Sequence, residues 1–87
     1  LVADLIAARD SGVEPGSEEA EALVERHRAS IAQWYDVTPA RQLILARMYV
    51  DDPRFHEAYG GAQDYLLELV TAHAAAEGVD VDNPQWG

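Results

Sequence analysis

The chain has 87 residues, 48% hydrophobic and 25% charged, with a formal net charge of −10, a globular composition sufficient for one domain that buries about 60% of its unfolded surface. All six basic residues are arginines, scattered among sixteen acids, so the domain itself is a poor phosphate-backbone binder, and DNA contact would have to come from a separate part of a parent chain. Cysteine is absent, which excludes disulfides, thiol nucleophiles and thiolate metal sites and is compatible with the reducing cytoplasm, the expected compartment.

Every segment reads as helix. Residues 1 to about 10 carry Leu1, Val2, Leu5, Ile6 and Ala8, with Gly12 as a stop signal. The chain opens at Leu1, already in helical pattern and with no charged-then-apolar leader, so it reads as an excerpt whose residues 1–12 end a preceding helix. Val13-Glu-Pro-Gly16 is turn chemistry, and Ser17 is a good N-cap with Glu18 and Glu19 at the positive end of the helix dipole. The second helix is predicted to run to about Trp34. Its Ala20, Leu23, Val24, His27, Ile31, Trp34 and Tyr35 fall on one stripe. A histidine, a tryptophan and a tyrosine on that stripe suit either a core or the wall of a ligand pocket.

Thr38-Pro39 is a capping hydroxyl followed by proline at the first helical position. The helix it opens, to about Val50, is apolar almost all round and is predicted to be the most buried element. Asp52-Pro53 repeats the signal for a short helix through about Tyr59, which Gly60-Gly61 breaks. A fifth helix, about 62–77, carries Ala62, Tyr65, Leu66, Leu69, Val70, His73 and Ala76 on its stripe and ends at Gly78. Residues 79–87 have loop composition. No strand pattern competes, and no apolar run is long enough to span a membrane. The fold class is all-α, a compact bundle of about five helices.

Catalytic and metal signals are weak. His27, His56 and His73 lie far apart, and His56-Glu57 lacks the second histidine of a metalloprotease helix. Asp80-Val-Asp-Asn-Pro84 begins like a calcium loop, but proline takes the third ligand position and no glycine follows. Ser30 lies one helical turn from His27, without an oriented base or an oxyanion hole. The acidic pairs Glu18-Glu19 and Asp51-Asp52 are explained by helix starts. The chain is expected to be no enzyme and to need neither metal nor cofactor. Its aromatics gather at helix ends: Trp34 and Tyr35 end one helix, Tyr49 ends the next, and Phe55 with Tyr59 follows immediately. That grouping can form the mouth of a concave, mostly apolar site. His27 is expected to hydrogen-bond a backbone carbonyl or a neighbouring helix, and Arg28 to pair with an acid of the short helix.

The ordered series Glu25-Arg-His-Arg28, Tyr35, Thr38-Pro39 and Met48-Tyr-Val-Asp-Asp-Pro-Arg-Phe55 resembles the TipA-like drug-recognition domain, the C-terminal effector domain of MerR-type transcriptional regulators. The resemblance covers about residues 13–78. It implies a small globin-like helical arrangement that binds bulky, largely apolar antibiotics such as thiopeptides and switches an attached DNA-binding domain, in a parent that is a homodimer although this piece is a monomer. Carried over, the ligand-binding residues are His27, Trp34, Tyr35, Val37, Met48 and Tyr49, with Phe55 and Tyr59 closing the site. Val37 stands at the usual position of a cysteine able to attach to the drug, so binding here is expected to be reversible. The central helix reads Pro39-Ala-Arg-Gln42 and Ile44-Leu-Ala46 where the family pattern has Pro-Glu-Met-His and Gly-Leu-Gly. Two other readings remain: a helical protein-interaction or scaffolding module, and a haem carrier suggested by the globin-like helices and the striped His27 and His73, which a colourless protein would dispose of.

Overall fold

Three side chains begin three of the helices. Ser17 Oγ accepts the Ala20 N–H at 3.2 Å, Thr38 Oγ1 accepts the Arg41 N–H at 3.2 Å, and Asp52 Oδ1 accepts the Arg54 N–H at 3.0 Å. Each satisfies a backbone donor that has no partner inside its own helix. Pro39 and Pro53 follow two of the caps, their fixed φ already helical. In the computed structural model, which describes residues 1–34 and 36–86, the helices are α1 (Val2–Ser11), α2 (Glu18–Ala32), α3 (Pro39–Asp51), α4 (Pro53–Ala58) and α5 (Gln63–Ala76). No strand occurs among the described residues, and the all-α class stands.

Glycine stops the elements. Gly12 caps α1 at φ 77°, and the next amide, Val13, reaches back to the Ala8 carbonyl at 3.0 Å. Gly60 turns the chain out of α4 at φ +57°, and a Cβ there would sit 3.1 Å from Ile6 Cδ1. The turn after α4 is therefore packed against α1, where positive φ and the nearby Ile6 methyl both favour glycine.

The core joins Leu5 and Ala8 of α1, Ala20, Leu23 and Val24 of α2, Leu43 and Ala46 of α3, and Tyr65, Leu66, Leu69, Val70 and Ala74 of α5. The most buried helix is α5, not α3 as its composition suggested: Leu66, Leu69, Val70 and Ala74 have no exposed surface, whereas Ile44, Leu45 and Val50 of α3 are only half-buried and Met48 is 57% exposed. An all-round apolar helix was assigned to the centre, but packing takes only the Gln42–Leu43–Ala46 side. On α5 the stripe departs from expectation at its end, where Ala76 is exposed and Ala74 is buried.

Polar ties set the joints. Tyr65 Oη donates to the Val13 carbonyl at 2.6 Å, holding the α1–α2 loop on α5. His73 Nδ1 of α5 meets Glu21 Oε2 of α2 at 2.6 Å. The Cα radius of gyration is 12.0 Å, about 12 Å being the value for a compact chain of this length, so the segment after α5 folds back onto the bundle instead of trailing from it.

Candidate functional site

His27 follows Ala20 by two turns of α2, on its buried side, and its imidazole is fully buried. The Gln42 side-chain amide of α3 donates to the Val24 carbonyl at 3.0 Å and approaches His27 Nδ1 at 2.9 Å. The carbonyl can only accept, which orients the amide. The amide nitrogen then donates its second hydrogen to Nδ1, leaving the imidazole proton on Nε2. Burial pulls the His27 pKa down to about 4, so the ring is neutral at neutral pH. His27 thus meets a neighbouring helix's polar group, as expected of it. Neither Nε2 of His27 nor Oε1 of Gln42 has a hydrogen-bond partner among the described residues.

The rings assemble around Tyr49. Its ring centre lies 5.7 Å from that of His27, edge to face at 89°. Phe55 stacks on it at 4.2 Å and Tyr59 at 5.7 Å, with interplanar angles of 27° and 23°. Asp52 makes this possible: it closes α3, caps α4, and thereby turns the short helix back so that its rings reach the end of α3. Offset stacking of this kind suits the ring quadrupoles. Phe55 and Tyr59 are both half-buried, and burial raises the Tyr59 hydroxyl pKa. The assembly is a neutral aromatic wall drawn from α2, α3, α4 and the Tyr59 turn, with a polar imidazole at its back.

Other sequence-predicted residues lie elsewhere. α2 ends at Ala32, short of the predicted Trp34, and the chain is extended at Thr38, the residue before Pro39, with φ −81° and ψ 163°. Trp34 therefore leaves the buried stripe and is 76% exposed. Met48 neighbours Tyr49 in sequence but faces outward, while Val37 is buried at 5% exposure. Tyr35 lies outside the described residues. Arg28 grips Glu25 of its own helix through two bonds of 2.8 and 2.6 Å, not an acid of α4, since one helical turn already supplies a carboxylate. Ser30 Oγ donates to the His27 backbone carbonyl, not to its ring.

Two features were missed. Gln42 was read only as a departure from a motif, although a polar residue on an otherwise apolar stripe was the signal that singled out His27. A cleft of about 330 Å³ lies between α1 and α2, lined by Asp4, Ala7, Ser11, Glu19, Ala22 and Arg26 among others, and none of the eight candidate residues reaches it. Its rim is tied by Arg26 to Asp4 at 2.5 Å, which holds the Asp4 carboxyl below its usual range. Among the described residues no group of three or more His, Asp or Glu is placed to hold a metal ion, and no helix is long and apolar enough to cross a membrane.

A helical bundle with an aromatic wall is a scaffold able to offer a mostly apolar surface to a small molecule. The family model of the TipAS antibiotic-recognition domain matches residues 1–83, and the chain belongs to that family. The match spans all five helices, beginning upstream of the motifs that carried the resemblance. Comparison with curated proteins and with solved structures gives no match.

Proposed function

We propose that this domain is a reversible sensor of a bulky, largely apolar antibiotic, thiopeptide-like or of similar character, and acts as the effector part of a MerR-type regulator in the bacterial cytoplasm. The observation that carries the reading is the stack of Tyr49, Phe55 and Tyr59 against His27 in a chain of the antibiotic-recognition family. Flat, half-exposed rings offer dispersion contacts to a planar ligand, and the buried imidazole behind them holds the Tyr49 ring by an edge-to-face contact. With no cysteine in the chain, no thioether to the drug can form, and affinity has to come from contact alone. Such a sensor works by binding one conformation better than another. Trp34, Tyr35, Val37 and Met48 are secondary contact residues in this proposal. The DNA-binding part and the dimer contacts belong to a parent chain.

The test is isothermal titration calorimetry of the unaltered chain with a panel of thiopeptides and other bulky hydrophobic antibiotics. A saturable heat of binding, reversed on dilution, supports sensing without a covalent link. A flat response from folded protein transfers the case to a protein-interaction module, a reading favoured by the exposure of Trp34 and Met48, which a helical partner could cover.

A further inference from the structure

Four arginines face carboxylates: Arg9 with Asp10, Arg26 with Asp4, Arg28 with Glu25 and Arg54 with Asp52. Arg41 and Arg47 of α3 instead donate to backbone carbonyls of the segment that follows α5. Arg47 donates to Val81 O. Arg41 Nε donates to Trp86 O at 2.7 Å, and its guanidinium carbon lies 5.3 Å from the centre of the Trp86 ring. Along α3 these anchors are about 9 Å apart at about 1.5 Å per residue. The later anchor holds the earlier tail residue, so the segment runs antiparallel to α3, from its end back to its start.

Arg41 does one thing more. Its Nη1 donates to Asp36 O at 2.8 Å, so one rigid, planar guanidinium joins the tail to the α2–α3 connection. That connection holds Val37, which is buried, and Thr38, which caps α3. Next to Arg41 in sequence is Gln42, the residue that holds His27. Trp86 lies beyond the residues that the family model matches.

We propose that Val79–Trp86 is a strap: docked through Trp86 on Arg41, it holds the α2–α3 connection rigid and so sets the affinity of the site behind it. The affinity half of this proposal rests on the drug-sensing reading; the rigidity half does not. With Trp86 in place the guanidinium is fixed by a ring face and a carbonyl, and its bond to Asp36 costs little further ordering. Without Trp86, Arg41 must be immobilised for Asp36 alone, at the full side-chain entropy of a long cation.

The experiment is ¹⁵N relaxation of the unliganded 87-residue chain, wild type against Arg41→Ala and a chain cut after Pro84, which loses both the Trp86 ring and its carbonyl, with helical content followed by circular dichroism. The strap requires Asp36 and Val37 order parameters near the rigid value of about 0.85 in the wild type, falling below about 0.6 in both variants. Should the chain cut after Pro84 leave them rigid, Arg41 acts through Asp36 alone and the strap is overturned; that variant removes no core residue, so it answers even if Arg41→Ala unfolds. A second arm measures affinity for the tightest thiopeptide of the panel, expected to fall about tenfold on strap release, as for loss of a charge-assisted hydrogen bond. Unchanged affinity with the strap demonstrably released overturns the coupling. The relaxation arm uses no ligand, so a chain that binds no thiopeptide counts against the drug-sensing reading alone.

Discussion

Gln42 and His27 form one buried unit: the amide of one spans the Val24 carbonyl of α2 and the imidazole nitrogen of the other, and both side chains are without exposed surface. This is the joint between α2 and α3, and it is polar in an otherwise hydrocarbon interior. Gln42→Ala should cost about 2–4 kcal/mol, combining a cavity with the His27 ring nitrogen left unpaired, while the Val24 carbonyl keeps its bond within α2. Gln42→Met fills the volume but still leaves the ring nitrogen without a donor. Urea denaturation should therefore place it between wild type and Gln42→Ala. A methionine variant as stable as wild type would show that packing, not hydrogen bonding, holds the joint.

The same ring makes stability depend on pH. His27 has a folded pKa of about 4 against an ordinary 6.5, so in acid the unfolded chain takes up a proton that the folded chain refuses. Stability from this group is complete above about pH 6.5 and declines as pH falls toward 4, by at most about 3 kcal/mol at 1.36 kcal/mol per pH unit. Urea midpoints at pH 7, 6, 5 and 4.5 measure it. His27→Leu should flatten most of the fall above pH 5, since the carboxylates that arginines hold low, Asp4, Glu25 and Asp52, release their share only at lower pH.

If the ring stack is the drug site, Phe55 separates binding from folding. It stacks on Tyr49 at 4.2 Å, yet α4 buries no side chain. Phe55→Ala should lower stability by only about 1 kcal/mol, the worth of an aromatic pair, while weakening thiopeptide affinity by about tenfold or more. Equal binding by wild type and variant would remove the ring stack from the ligand site.

Gly60 and Gly78 make a controlled pair. Both have positive φ, but a Cβ at Gly78 meets nothing within 4 Å, whereas at Gly60 it meets Ile6 Cδ1 at 3.1 Å. Gly78→Ala should cost about 1 kcal/mol for backbone strain alone. Gly60→Ala should cost more, and Ile6→Val, which removes the Cδ1 methyl, should erase the excess in a double-mutant cycle.

Tyr65→Phe deletes the bond to the Val13 carbonyl and nothing else. A loss of about 1 kcal/mol is expected, read as a shift in thermal midpoint. No shift would mean that the loop between α1 and α2 is held without it.

Much of this architecture was legible because helix punctuation is local chemistry. Ser17, Thr38-Pro39 and Asp52-Pro53 act within three residues of themselves, and the structure uses each as a start. What the sequence hid depends on direction around an axis or on distant backbone. Trp34 matched the apolar spacing of α2, but the helix ends at Ala32. α3 looked central by composition, yet Ile44 and Leu45 lie to one side of its packed face. Gln42 stands out only as a polar residue on an apolar side of α3, and that position does not name its partners, a carbonyl and a ring nitrogen on another helix. Arg41 and Arg47 likewise choose carbonyls over carboxylates, and carbonyls exist at every position. Of the site, His27 bonded to a neighbouring helix and the gathering of Tyr49, Phe55 and Tyr59 were readable from helix ends; the outward turn of Met48 and the burial of Val37 were not.

A helix that contributes nothing to the interior has its own thermodynamics. α4 is bounded by the Asp52 cap on one side and Gly60-Gly61 on the other, and ring contacts, together with the Gln63 amide on His56 Nδ1 at 2.9 Å, attach it to the rest. Lifting it away exposes almost no aliphatic core, so its opening free energy should lie far below that for global unfolding. Its amides should exchange first among the five helices. Opening of this one short segment would leave α5 and the hydrocarbon beneath it undisturbed.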